Sequence, residues 1–421
     1  YLMSSIKLKH SGGNGVSIAA PVSNPTADRT LTLPSTDVDG VITTKDSNNS
    51  LQAVTGINGG KLGNRNLFNN GAFNIAQRST SATGGGFLSV DRFKCQTSGL
   101  DNDITQAQAD VAAGTTPYSL GFRKCYKITN GNQTSGAGGG DLVKIQTSVE
   151  AQNIATSGWN YLSDTSYISL QFWVKSSVSQ NFYFNLVDIN ASPNQNYVME
   201  TGVLTANTWT KITKVIPGKN TLVFTAGGAG EGLRLEINAF RGADTTGTQN
   251  LNQWHELDTA NRMPTNTTTW FTTNDATFEI TGVQLEVGDT PTNFEFKQYH
   301  EDYYECLRYC YVIPVTNGDF IGSSYAFVNS TTQIIGQFTF PRAMRTFPTK
   351  AQTSSNVRLR AGNSSANFNL TDIIAHLGDT TNPNAFTYGF IVTTSSISTS
   401  QSGILQGQNT TAGRITFSAE F

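Results

Sequence analysis

Apolar residues recur at every second position through most of this chain, and at helical spacing only once. A period of two puts alternate side chains on opposite faces of a strand, so the chain must fold mainly into sheets that each bury one face. In SYISLQFWVKSS, Ile168, Leu170, Phe172 and Val174 share a face, and NFYFNLVD follows after a short turn as the expected hairpin partner. TWTKITKVIPG, TLVFTA, GLRLEINAF and ATFEITGVQLEVG repeat the pattern at the spacing of an antiparallel sandwich or jelly roll. In the last of these, Phe278 and Ile280 lie on one parity and Val283, Leu285 and Val287 on the other, which predicts a bulge at Gly282. The strand is expected to end at Gly288.

The helical exception follows a Pro-containing turn. Tyr303, Cys306, Leu307, Cys310 and Tyr311 form one stripe of a short amphipathic helix, and Glu301 and Asp302 suit its positive N-terminal end. These five stripe residues are expected to pack the segment between domains or between subunits.

At 421 residues the chain exceeds the size at which a single core stops growing, so two or three domains are expected. Residues 1–60 hold the short strands SIKLKH, GVSIAA, RTLTLP and GVITTK, broken by GGNG, Pro25 and Pro34. Such strands bury little alone, so the segment reads as an attachment module whose apolar positions are Ile6, Leu8, Val16, Ile18, Leu31 and Leu33. The polar, Gly-rich run DSNNSLQAVTGINGGKLGN marks the first boundary. Residues 61–298 read as the central sandwich. Residues 299–421 read as the short helix plus a C-terminal β-sandwich built on SYAFVNS, QIIGQFTF, NVRLRAG, AFTYGFIVTT and GRITFSAEF, whose last strand ties the end of the chain into a sheet. The fold class is all-β.

With 28 Lys and Arg against 30 Asp and Glu, the net charge of -2 leaves no electrostatic footprint for nucleic acid or an anionic membrane. No apolar run of roughly 18 residues suggests a membrane span, and YLMSSIKLKH has no apolar signal core, so neither membrane insertion nor signal-directed export is expected. Cys306 and Cys310 lack a CxxC or HxxxH to complete a metal set and read as buried core thiols. Cys95 and Cys125 sit in the strand-like runs FKCQ and RKCYKI and pair only if those strands are neighbours; free thiols are the preferred reading. The carboxylates in WHELD (Glu256, Asp258), Glu231 with Glu236, and Asp101 with Asp103 read as solvated charges, and the four histidines show no metal or nucleophile spacing. No enzyme is expected.

A pyranose is held by an exposed aromatic ring with amide or charged neighbours. Trp173 and Tyr183, placed opposite the apolar face of their hairpin, meet that need, with Arg234 and Glu236 outward on a later strand. Trp159, Tyr161 and Trp254 are loop alternatives. The competing reading for each ring is packing against another domain or subunit.

Three stretches carry a family resemblance: IKLKHSGGNGVSIAAPVSNPTADRTLTLPSTDVDGVI; RNLFNNGAFNIAQRST followed by VDRF; and GVQLEVGDTPTNFEFKQYHEDYYECLRYCY, with PRAMRTFPT after it. Together they resemble tail fibre and virion appendage proteins of tailed bacteriophages, particularly those of marine bacteria, with a central domain similar to carbohydrate-binding modules. CLRYCY departs from the more usual aromatic pair. The resemblance implies a virion surface protein assembled in the host cytoplasm. It further implies a homotrimer that docks on tail or capsid proteins by its N-terminal module and recognises a host-surface glycan non-covalently. Short tail fibre is the first reading; a capsid decoration protein or a polysaccharide-degrading tailspike are the alternatives. The similarity to carbohydrate-binding modules also implies a structural calcium ion, for which no acidic ligand loop stands in the sequence; no other cofactor is expected.

Overall fold

In a computed structural model, residues 5–9, 15–19, 63–331, 333–352, 357–361, 367–370, 387–393, 402–407 and 413–421 are described. The chain divides into two units, residues 1–54 and 55–421. In the first, β1 (Ser5–Lys9) and β2 (Gly15–Ala19) form an antiparallel hairpin with Ile6 opposite Ile18 and Leu8 opposite Val16. Leu31 and Leu33 lie outside the described residues.

The second unit is all-β with antiparallel sheets and, among the described residues, four short α-helices. Its first half runs β3 (Ser81–Thr83), β4 (Lys94–Ser98), β5 (Thr105–Asp110), α1 (Thr116–Ser119), β6 (Lys124–Thr129), β7 (Leu142–Glu150), α2 (Ala151–Ala155), β8 (Tyr167–Ser176) and β9 (Asn181–Asp188). It continues through β10 (Gln195–Val203), β11 (Thr210–Pro217), β12 (Glu231–Arg241), β13 (Trp254–Glu256), α3 (Thr269–Thr272) and β14 (Thr277–Val287). These strands form two facing sheets, ordered β13-β10-β9-β12-β7-β4 and β11-β8-β14-β6-β5-β3. The sandwich core fills from both: Leu170 and Phe172 of β8 and Ile280 and Leu285 of β14 meet Phe184 of β9 and Leu235 of β12, all essentially buried. Each such side chain contributes roughly 1.5–3 kcal/mol by leaving water.

One expectation is overturned here. β8 and β9 are not a hairpin. β8 pairs with β11 and β14, and β9 pairs with β10 and β12, so the turn between them crosses from one sheet to the other. Both strands have an apolar face, and alternation alone does not distinguish pairing side by side from facing across a core. The rings of Phe172 and Phe184 do the latter, edge to face at 5.0 Å.

The bulge expected in the 277–287 strand is present. Register shifts between Thr281 and Gln284, and Gly282 sits at φ 65°. Phe278, Ile280, Val283 and Leu285 all reach the core as a result.

α4 (Tyr299–Cys306) is the helix anticipated from the stripe, and the Glu301 carboxylate accepts the Gln298 N–H at its start (3.1 Å). It ends sooner than the stripe implies. Cys310 and Tyr311 belong instead to β15 (Cys310–Val315), paired opposite Ser418 and Phe417 of the last strand. A ladder partner far along the chain outweighs the local helical period. Beyond β15 come β16 (Phe320–Ser330), β17 (Gln333–Thr339), β18 (Thr349–Gln352), β19 (Val357–Ala361), β20 (Asn367–Leu370), β21 (Thr387–Thr393), β22 (Ser402–Gly407) and β23 (Gly413–Ser418). They form sheets β15-β23-β18 and β20-β19-β22-β16-β17-β21 over a smaller core that includes Phe338, Phe340, Ile415 and Phe417.

The end of the chain and the residues after α4 are bound to the sandwich by buried charge. Glu420 pairs with Arg78 and Arg92, while Glu150 accepts from Arg308 (2.6 Å) and from the Tyr309 hydroxyl (2.6 Å). The Arg92 guanidinium lies 3.4 Å from the centre of the Tyr309 ring. Cys306, Leu307 and Cys310 are buried beside this junction, and Tyr303 and Tyr311 are half-buried. All four cysteines are free and buried; Cys95 and Cys125 lie on different sheets.

Candidate functional site

Because Ile168, Leu170, Phe172 and Val174 take the inner face of β8, Ser169, Gln171, Trp173 and Lys175 must take the outer one. Trp173 lies directly opposite Lys211 of β11 on one side and Thr281 of β14 on the other. At Trp209, just before β11, a second indole joins this face, with the Lys175 ammonium 5.0 Å from its ring centre. Lys175 is itself paired with Glu279 at 2.8 Å.

The loop after β14 folds back over the same face, held by polar side chains of the sheet. Glu286 accepts the Thr292 N–H and hydroxyl (2.7 Å each), Gln284 Oε1 accepts the Glu295 N–H (2.7 Å), and Gln171 Nε2 donates to the Thr292 carbonyl (2.7 Å). So anchored, the loop sets Phe294 and Phe296 against Phe122, with ring centres 4.9–5.0 Å apart in all three pairs. Between this triad and Trp173 lies a groove of about 280 Å³, also lined by Leu120, Gln171, Lys211 and Asn293. Gly282 forms part of its floor, where a Cβ would stand 2.7 Å from the Phe122 ring.

Several polar groups here are left unpartnered. Gln171 Oε1, Ser169 Oγ and Trp209 Nε1 are buried with no hydrogen-bond partner, although buried polar atoms are normally paired. Lys211 is exposed and forms no ion pair among the described residues. Cys125 lies under the same face, its thiol pushed up to about 12 by burial and by neighbouring Glu279, so it supplies no nucleophile. The arrangement offers ring faces, an amide acceptor and an ammonium donor. No carboxylate lines the groove, so it provides no acid and base pair.

The structure separates the sequence candidates. Trp173 stays half-buried on the groove. Tyr183 is half-buried on the outer face of the opposite sheet, so the two do not form one site. Trp159 is 3% exposed, donates to the Ser166 carbonyl (3.1 Å) and packs near Tyr161 and Phe224. Trp254 is 9% exposed, donates to the Pro217 carbonyl (2.7 Å) and meets Tyr197. Tyr161 packs edge-on against Phe224 at 5.0 Å. Trp159 and Trp254 complete the sandwich core rather than face solvent, and Tyr161 packs half-buried against it.

Glu236 also departs from expectation, because the segment after β12 folds over its face. It is fully buried among Lys144 (2.5 Å), Arg241 (3.2 Å), Arg234 (3.7 Å) and Arg262 (3.8 Å). Burial alone would raise its pKa, but Lys144, Arg262 and Arg241 prevail and hold the carboxyl down at about 2. Glu231 is engaged by Arg234 and Ser148, and Asp101 by Ser135 and Thr134. Among the described residues no group of three or more His, Cys, Asp or Glu side chains is placed to hold a metal ion.

The sequence reading missed Phe122, Gln171, Trp209, Lys211, Phe294 and Phe296. Four of these had a signal: TNFEFK carries the alternating Phe294 and Phe296 outside any core strand, and Trp209 shares a parity with Lys211 opposite the inward Ile212.

No protein-family model matches the sequence, and no curated protein matches it. Solved structures similar to the chain include the enzymatically active domain of tailspike protein 4 of bacteriophage CBA120, at 10% identity and TM-score 0.28 over 53% of this chain and 21% of that one. The N-terminal cellulose-binding domain of Cellulomonas fimi beta-1,4-glucanase C is similar at 9% identity and TM-score 0.25 over 53% of this chain and 100% of that one. The CBM22-2 xylan-binding domain of Paenibacillus barcinonensis Xyn10C is similar at 14% identity and TM-score 0.24 over 52% of this chain and 99% of that one. This chain spans about a fifth of the tailspike domain's length. At these TM-scores the likeness assigns no ligand to this chain.

Proposed function

We propose that this chain binds a saccharide non-covalently in the Trp173 groove, as the host-recognition part of a virion appendage. The observation that carries the binding reading is the groove itself: an indole between a free ammonium and a threonine, faced by three phenylalanine rings, beside a buried amide oxygen with no partner. The apolar face of a pyranose stacks on Trp173, and its hydroxyls reach Lys211 and Gln171. A volume of about 280 Å³ falls just under the ~300–1,000 Å³ of ordinary ligand pockets, which suits about one or two sugar rings rather than a long chain.

Trp173→Ala tests this. Loss of one stacking ring of about 1.5–3 kcal/mol corresponds to a roughly tenfold or greater fall in glycan-array affinity and host adsorption, with the circular dichroism spectrum unchanged. Unaltered binding by the folded variant would refute the site. With no carboxylate pair at the groove, the reading is of a binding protein that releases no oligosaccharide from host envelope material.

The virion setting rests on the phage-like stretches of the sequence and on a short N-terminal segment suited to docking. In a homotrimeric appendage, whether a short tail fibre or a capsid decoration, residues 1–60 would hold the particle. Virions should then fail to incorporate a chain that starts at Asn64; normal incorporation would remove the docking role.

A further inference from the structure

We infer that the groove selects anionic saccharides, those with a carboxylate or sulfate on the ring stacked at Trp173, and that Lys211 is the residue that makes the selection. The inference rests on the saccharide reading of the groove and adds its substrate class. Its ground is the charge balance of the walls. Of the residues lining the groove, Lys211 alone is charged, and it stands directly opposite Trp173 on the neighbouring strand. Cross-strand partners have Cβ atoms roughly 4.5–5.5 Å apart, so a lysine stem reaches the edge of a ring stacked on the indole.

The carboxylates that might neutralise it are committed elsewhere. Glu279 is taken by Lys175 at 2.8 Å, Glu286 is buried and saturated by Thr292 and Gln284, and Glu295, on the loop between Phe294 and Phe296, accepts the Asn66 N–H (2.9 Å) on the Arg65 side of the rim. A second cation stands at the rim. Arg65 donates to the main-chain oxygen of Asn293 (3.1 Å), a lining residue, and has no carboxylate partner among the described residues. With Glu295 beside Arg65, the Lys211 ammonium is the charge left without a counter-charge among the described residues, on a molecule whose overall charge is slightly negative. A neutral sugar leaves that charge without a partner, and an acidic one supplies it.

Lysines on an edge strand also discourage pairing with other chains, and β11 is an edge. Lys214 on the same strand serves that purpose as well. The two roles differ in what they predict: an edge guard has no effect on ligand charge preference.

The experiment compares binding of the full chain to oligouronates from alginate and pectin, each beside its carboxyl-reduced neutral counterpart, and to sulfated galactan oligosaccharides beside their desulfated forms. Wild type is expected to prefer the acidic member of a pair by roughly three- to fivefold, the size of one partly exposed ion pair, with the preference shrinking as salt is raised. Lys211→Gln should abolish the preference, lowering affinity for the acidic member of each pair more than for the neutral one until the two are equal, while Trp173→Ala should weaken binding of both members roughly tenfold or more. The uronate and sulfate arms tell which anion is read. Equal wild-type affinity within every pair, or a preference that survives in Lys211→Gln, overturns the inference while the saccharide reading stands. Binding of neither member overturns both.

Discussion

At the scale of single residues, the same chemical type meets opposite fates. Trp159 and Trp254 are used up inside the sandwich, each donating its indole N–H to a carbonyl, and Trp173 is left on the groove. Glu236 shows the same divergence among charges: read as an outward carboxylate, it is instead the sealed centre of four cations. Removing one partner of such a buried set leaves the others uncompensated, so Glu236→Gln should cost about 3–5 kcal/mol at neutral pH. The pH dependence has a definite sign. A carboxyl held at about 2, below its ordinary 4.5, contributes stability that is present above about pH 4.5 and is lost as pH falls toward 2. Asp91 acts in the other direction, since burial, only partly offset by Arg78 and Gln77, raises it to about 6 and its ionisation destabilises as pH rises from about 4 to 6. The gap in denaturation midpoint between the wild type and the Glu236→Gln variant should therefore narrow steadily as pH falls from about 4.5 toward 2. A constant gap across that range would contradict the assignment.

At the scale of elements, β14 was the most legible strand and also the one that shapes the groove. The parity change along it announced the bulge, because a register shift of one residue is the means by which Phe278 and Leu285 reach the same core. What the parity did not announce is that the bulge residue also makes room for Phe122. Gly282→Ala would place a methyl group 2.7 Å from that ring at a φ of 65°. It should destabilise the unit by at least ~1 kcal/mol in urea unfolding and displace the phenylalanine triad, weakening ligand binding as well. A variant as stable as wild type with unchanged affinity would contradict this account of the groove. α4 illustrates the reverse case. Its start was legible from acidic residues and stripe spacing, but its end was not, because the strand that claims Cys310 and Tyr311 is more than a hundred residues away in sequence.

At the scale of the whole molecule, the all-β class, the antiparallel sandwich, the inward faces of β8 and β14 and the start of the helix at α4 followed from the sequence by itself. They are consequences of local periodicity, and periodicity is a property of neighbouring residues. The tertiary structure decided which strands share a sheet and which face each other across a core, and so placed Trp173 and Tyr183 on opposite sides of the sandwich. It also decided which outer faces remain open. The segment after β12 seals the polar face around Glu236, whereas the loop after β14 only walls its own, leaving Trp173, Lys211 and Gln171 beside a groove. Alternation tells which way a side chain points from its strand. Whether water, a loop or a ligand lies in that direction depends on contacts between residues far apart in the chain, and only folding brings those together.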